Sequence, residues 1–232
     1  MQARRPGSCG SGKLIMVERT ATDRQLSVEG SEFLWDTEGR PESHGYLLAP
    51  VLELLKQARA KTVLDLGSGN GAFADELSRH GMSVAGLDHS ESGVALARAR
   101  YTTIAFAQHD LGLPLPAEYI GRYDAVVSVE VIEHLLLPRL LLRNASDALR
   151  PGGLVILTTP YHGYLKNLAI ALCGGFDAHW HPLRDYGHIK FFSSSTLRAL
   201  IEECGFSSLG VTTAGRIPPF AKSMVIAGVK NS

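Results

Sequence analysis

Hydrophobic positions along the chain switch repeatedly between two periods. Over 46–58, Leu47, Leu48, Val51, Leu52, Leu54 and Leu55 recur at helical spacing. Thr62-Val-Leu-Asp-Leu-Gly67 is a short apolar run closed by glycine, which predicts a buried strand. A helix is expected over 72–80, stopped by Gly81, and a second strand over 84–87. Ser90 suits the N-cap of a helix running to about Arg100. Further strands are expected over 103–107, 123–129 and 154–158. Pro138 fits the first turn of a helix reaching Leu149, and Gly205 closes another over 196–204.

Strand and helix thus alternate, which means βαβ units and a parallel sheet. The last two strands, near 208–213 and 223–229, have no helix between them. A loop containing Gly215, Pro218 and Pro219 joins them, so they read as a hairpin with one antiparallel strand. Residues 1–32 are expected to be poorly ordered, with Gly, Ser and Arg prominent at the start and Met16 an alternative first residue. Residues 33–230 read as a single domain.

Composition narrows the function. The 232 residues are 45% hydrophobic and 20% charged, which excludes wholesale disorder and fibrous repeats. Lys plus Arg equals Asp plus Glu at 23 each, which argues against a nucleic-acid partner. Cys9, Cys173 and Cys204 are odd in number and widely spaced, against a disulfide scaffold or a cysteine zinc site. No apolar run is long enough to span a bilayer, and no signal-peptide pattern follows Arg4 and Arg5. The expected compartment is the cytoplasm.

The chemistry concentrates at predicted strand ends. Asp65-Leu-Gly-Ser-Gly-Asn-Gly71 joins the first strand to its helix, where glycines let backbone approach a ligand. Asp88 ends the second strand, where a carboxylate can grip the two hydroxyls of a ribose. His109-Asp-Leu111 follows the third, with Asp110 placed to accept from an adenine amino group. The glycines alone are weak, since Gly67-x-Gly69-x-x-Ala72 also matches a dinucleotide fingerprint. The bland alternative is a tight turn with surface acids. Val129-Glu-Val-Ile-Glu-His134 follows the fourth strand. If it forms one helical turn, Glu130, Glu133 and His134 share a face that suits a general base or a divalent cation.

Val63-Leu-Asp-Leu-Gly-Ser-Gly-Asn-Gly71, Gly86-Leu-Asp88, His109-Asp110 and Leu149-Arg-Pro-Gly-Gly153 together resemble the motif set of class I S-adenosylmethionine-dependent methyltransferases. The resemblance implies a Rossmann-like, doubly wound α/β sheet of seven strands, mostly parallel with an antiparallel last strand. It implies that Gly67 and Gly69 line the methionine part of the cofactor, Asp88 holds the ribose, and Asp110 with Leu111 flanks the adenine. Asp65, His89 and Val129 complete the expected cofactor set. The chain is most similar to the ubiquinone-biosynthesis O-methyltransferases, through Trp35-Asp-Thr-Glu-Gly39 with His44, Ser128-Val-Glu-Val-Ile-Glu-His-Leu135 and Gly187-His-Ile-Lys-Phe-Phe192. Their cofactor-carboxylate arginine is replaced here by Leu52.

The expected activity is therefore methyl transfer from S-adenosylmethionine to oxygen of a small phenol- or quinol-like acceptor. His134, Glu133 and His188 are the expected catalytic residues, with helix capping or a backbone contact as the bland role for His188. No metal is assigned, although a divalent ion stays open. A small-RNA 2′-O-methyltransferase family shares the Glu-x-x-Glu-His turn and binds metal; the neutral charge argues against RNA here. A nicotinamide oxidoreductase and a non-catalytic cofactor-binding protein are the other readings. Residues about 160–187 hold aromatic and histidine residues, with Leu165, Leu168, Ala169 and Leu172 at helical spacing. They are expected to form a lid over the acceptor, or else a core helix with a decorated loop. Weak peripheral contact with a membrane surface is a further expectation, and the oligomeric state is left open.

Overall fold

A computed structural model describes residues 35, 39–180, 183 and 187–231. The expected poor order of 1–32 lies outside the described residues, as do parts of the lid segment. The elements in chain order are α1 (Glu42–Gln57), β1 (Thr62–Leu66), α2 (Ala72–Arg79), β2 (Ser83–Asp88), α3 (Glu91–Arg100), β3 (Ala105–Gln108) and β4 (Tyr123–Val129). Then come α4 (Pro138–Ala148), β5 (Leu149–Pro160), α5 (Tyr164–Leu172), α6 (Phe176–Trp180), α7 (Ser194–Glu203), β6 (Phe206–Ala214) and β7 (Ser223–Lys230).

The seven strands form one sheet in the order β3-β2-β1-β4-β5-β7-β6. β1 to β5 run parallel, and β7 runs antiparallel to both β5 and β6. The late hairpin and the mostly parallel sheet are as expected. Apolar alternation explains the layering. Val63 of β1 and Ala125, Val127 and Val129 of β4 pack toward Leu47, Val51 and Leu55 of α1 and Phe73 of α2. Leu64, Leu66 and Val126 point the other way, toward Leu141 and Leu142 of α4 and Leu197 of α7. Successive residues of a strand face opposite sides, so strands covered on both faces are apolar at nearly every position.

Local signals set the boundaries. Ser90 Oγ accepts from the backbone of Gly93 and caps α3. Pro138 occupies the first turn of α4. Three expectations need correction. α1 begins at Glu42, a turn earlier than its apolar stripe, because His44 also packs inward, edge-to-face on Phe73. β5 begins at Leu149, because Tyr123 pairs with Leu149 before a register shift in β4. The Leu165–Leu172 stripe is not a core helix. No residue of α5 is buried, and Leu165 and Leu172 are exposed.

The strand order reverses between β1 and β4. That switch point leaves a crevice beyond their carboxyl ends. Ser128 Oγ donates to the Leu66 carbonyl at 2.7 Å and ties the two ends together.

Candidate active site

The glycine loop after β1 is fixed from below. The amides of Gly67 and Ser68 both donate to the Leu87 carbonyl. Gly67 takes φ +87°, and a Cβ there would lie 2.4 Å from Cγ2 of Val131. The loop and the turn after β4 are thus in contact across the switch point, and only glycine fits. Asp88 at the end of β2 accepts from the Gly69 amide at 2.7 Å and from the Ser90 amide at 2.8 Å. Asp65, in β1 beneath the loop, is buried and neither carboxyl oxygen has a hydrogen bond. Burial, and then the Asp88 charge, push its pKa up to about 8.

The other cofactor candidates spread along the same crest. Val129 and Leu111 are buried, while Asp110 is exposed and accepts from the Gly112 amide through Oδ1. His89 is exposed; its carbonyl accepts from Gln108 Nε2. Leu52 lies inside the core, so no cation stands at that position.

The turn after β4 departs from expectation. Only Ile132–His134 form a short 3-10 turn. Glu130 precedes it with a left-handed φ of +56°, a conformation that costs a non-glycine residue about 1–2 kcal/mol. Its side chain therefore leaves the shared face. Oε1 accepts from Thr158 Oγ1 at 3.0 Å and Oε2 from Ser223 Oγ at 3.2 Å. The Tyr46 hydroxyl lies 3.2 Å from the same serine. Burial raises the Glu130 pKa to about 7, against the pull of these hydroxyls.

His188 takes the place that Glu130 was expected to hold. One ligand-type atom each from Glu133, His134 and His188 lie within 4.8 Å of one another. Glu133 is fully buried with no hydrogen bond to either oxygen, and burial followed by the Glu130 charge raises its pKa well above the carboxylate range. Both imidazoles are exposed above it. His188 Nε2 is 4.0 Å from Glu133 Oε1, and His134 Nδ1 is 3.3 Å from the Gly187 carbonyl. His188 is not a helix cap, since Ser193 caps α7 with a reciprocal bond to Thr196.

Among the described residues, the buried side-chain N and O atoms without a hydrogen bond gather in two places, His44 apart. Asp65 and Ser68 lie at the glycine loop. Glu133, Thr159, His162, Asn167 and Trp180 lie at the ends of β4 and β5 and in the segment that follows. Each such group costs about 1–3 kcal/mol unless something satisfies it. Beside the second stands an aromatic wall. The His162 and Phe191 rings meet edge-to-face at 5.2 Å, and Trp180 lies 5.7 Å from Phe191 and 4.1 Å from Phe176. Burial holds His162 neutral, with its pKa lowered to about 4. Sequence reasoning singled out neither Thr159 nor Asn167. Both are ordinary polar residues, and only burial distinguishes them.

A family model described as "Methyltransferase domain" matches residues 40–209. The chain belongs to the methyltransferase domain family. It is 28% identical over 187 residues to a ubiquinone biosynthesis O-methyltransferase of Vibrio parahaemolyticus, covering 77% of this chain and 79% of the relative. It is 33% identical over 147 residues to the protein of the same name from Caulobacter vibrioides, covering 60% of this chain and 57% of the relative. The chain thus spans little more than half of the Caulobacter protein. The fold is also that of magnesium protoporphyrin IX methyltransferase from Synechocystis PCC 6803 with bound SAH. That match has a TM-score of 0.62 at 18% identity and covers 96% of this chain and 90% of that one. This methyltransferase uses S-adenosylmethionine, as its family implies, and the oxidoreductase reading is set aside. No helix among the described residues is long and apolar enough to cross a membrane.

Proposed function

We propose that this methyltransferase methylates a hydroxyl oxygen of a small, planar, phenol- or quinol-like acceptor. The single observation that carries the reading is the cluster of Glu133, His134 and His188, two exposed imidazoles over a buried carboxyl. Through Val131 and Gly67 the cluster touches the glycine loop. The names of the relatives, O-methyltransferases of ubiquinone biosynthesis, support oxygen as the methylated atom. The aromatic wall of His162, Phe191, Trp180 and Phe176 supports a flat acceptor.

The residues present fit the donor. The unpaired Asp65 carboxyl suits an ammonium group, and the Asp88 carboxylate suits a ribose. Gly67, Gly69, Leu111 and Val129 would line its length. When bound, the donor supplies an electrophilic methyl on a sulfonium, so the protein mainly aligns the groups and removes a proton. His134 accepts the proton of the acceptor hydroxyl. His188 stands at its edge to pass the charge on, and Glu133 positions the pair from beneath. The apolar outer face of α5, with Tyr164, Leu165 and Leu172 exposed, supports contact with a lipid surface in which such an acceptor dissolves.

The test is product analysis. The purified protein is incubated with S-adenosylmethionine and matched phenols, catechols, amines and carboxylates, and the methylated atom is located by mass spectrometry. Methyl transfer to nitrogen or carboxylate and none to phenolic oxygen sinks the reading. A second reading places a divalent ion on Glu133, His134 and His188, favoured by the closeness of their ligand-type atoms.

A further inference from the structure

We propose that Trp35 is a donor-binding residue whose indole forms a wall of the S-adenosylmethionine pocket; this rests on the donor reading above. The indole is seated on two glycines that flank Asp88 in space. A Cβ on Gly69 would lie 2.3 Å from Cζ2 of Trp35, and a Cβ on Gly93 would lie 2.8 Å from its Cδ1. The Gly93 Cβ would also lie 3.0 Å from the Gly69 carbonyl oxygen, so the two glycines face one another. Gly69 belongs to the donor loop. Gly93 lies in the first turn of α3, where alanine favours a helix by about 1 kcal/mol over glycine. Space for the indole is one physical reason for glycine at both positions, beside the left-handed φ of +52° at Gly69 and the close Gly69 backbone at Gly93.

The seat is wired to Asp88. The Trp35 amide donates to Ser92 Oγ at 3.1 Å, and that oxygen lies 3.0 Å from Ser90 Oγ. The Ser90 and Gly69 amides hold the two oxygens of Asp88. The residues that fix the indole therefore also orient the carboxylate assigned to the ribose. Gly39 and Arg40 are held separately, by Asn70 Nδ2 donating to the Gly39 carbonyl at 3.0 Å and by Arg40 pairing with Glu76 at 2.7 Å. An indole suits this donor chemically. It can stack on a purine, attract a sulfonium cation through its face, and shield the Asp88 hydrogen bonds from water.

The experiment uses the full chain and S-adenosylhomocysteine. Trp35 and Trp180 are the two tryptophans, so Trp180→Phe leaves Trp35 as the sole indole fluorophore. Its emission should change saturably, with the same Kd that calorimetry gives for that variant. Trp35→Ala should raise Kd roughly tenfold, the scale of one lost stacking partner, and Trp35→Phe should recover most of the loss. Silent Trp35 emission together with an unchanged Kd in Trp35→Ala overturns the proposal and leaves the donor pocket standing. Absence of any binding by the unaltered chain overturns both. If Trp35→Ala fails to fold, the emission of the Trp180→Phe chain decides alone.

Discussion

The imidazoles of His134 and His188 meet edge-to-face with 4.8 Å between their centroids. They come from the turn after β4 and from the segment before α7. One residue joins them: the Glu133 carbonyl accepts from the amides of both Ile189 and Lys190 at 2.9 Å. The same residue that places its carboxyl under the pair thus also fastens the segment that delivers the second histidine.

That arrangement makes His134→Ala a test of chemistry. Turnover should fall about 10²–10⁴-fold, the usual contribution of a general base. S-adenosylhomocysteine affinity should stay near that of the unaltered chain, because the residues proposed to hold the donor lie at the ends of β1 and β2. His188→Ala should lower kcat as well, and the double variant should cost less than the product of the two. Wild-type turnover in His134→Ala would remove it from the mechanism.

Asp65 predicts opposite effects on stability and binding. Its folded pKa of about 8 lies above the ordinary 3.8, so the native state holds a proton that the unfolded state releases. Its contribution to stability is full below pH 3.8 and is lost as pH rises through about 8. Asp65→Asn removes that dependence. In urea unfolding without ligand, the unaltered chain should lose about 1.4 kcal/mol per pH unit relative to the variant across this window. The variant should bind S-adenosylhomocysteine about 1.5–3 kcal/mol more weakly, through one lost charge-assisted bond. Parallel pH profiles for the two chains would contradict it.

Glu130 behaves alike over a narrower range. Its pKa rises from 4.5 to about 7, so its stabilising contribution is present below 4.5 and fades as pH passes 7. Glu130→Gln should raise the melting temperature at pH 8 more than at pH 5. Glu130→Ala should be the less stable variant at pH 5, because the Thr158 and Ser223 hydroxyls lose their acceptor.

The aromatic wall should read out as acceptor binding. Phe191→Ala should raise the acceptor KM severalfold, with donor affinity unaffected. Truncating one stacking ring costs about 0.5–1.5 kcal/mol beyond its buried area. A change in donor affinity alone would place the ring elsewhere.

Chelation separates the two readings of the histidine cluster. Treatment with excess chelator should leave activity intact if Glu133, His134 and His188 act by proton transfer. Inactivation reversed by magnesium or zinc would establish the ion instead.

The sequence by itself determined the alternation of strands and helices, the late hairpin and the glycine loop. Each rests on local rules: apolar runs between glycines, a serine cap at Ser90, a proline in the first turn at Pro138. It also determined that Glu133 and His134 stand after β4. Tertiary structure decided their company. Spacing put Glu130 beside them on a helical face, but a left-handed φ at that residue turns its carboxyl toward Thr158 and Ser223 instead. His188 enters in its place through two amide bonds to one carbonyl, a long-range contact that no local period encodes. Trp35 has the same explanation. Its seat on Gly69 and Gly93 exists only once β1 and β2 lie side by side, so the sequence held the residues and the pairing of strands gave them a shared surface.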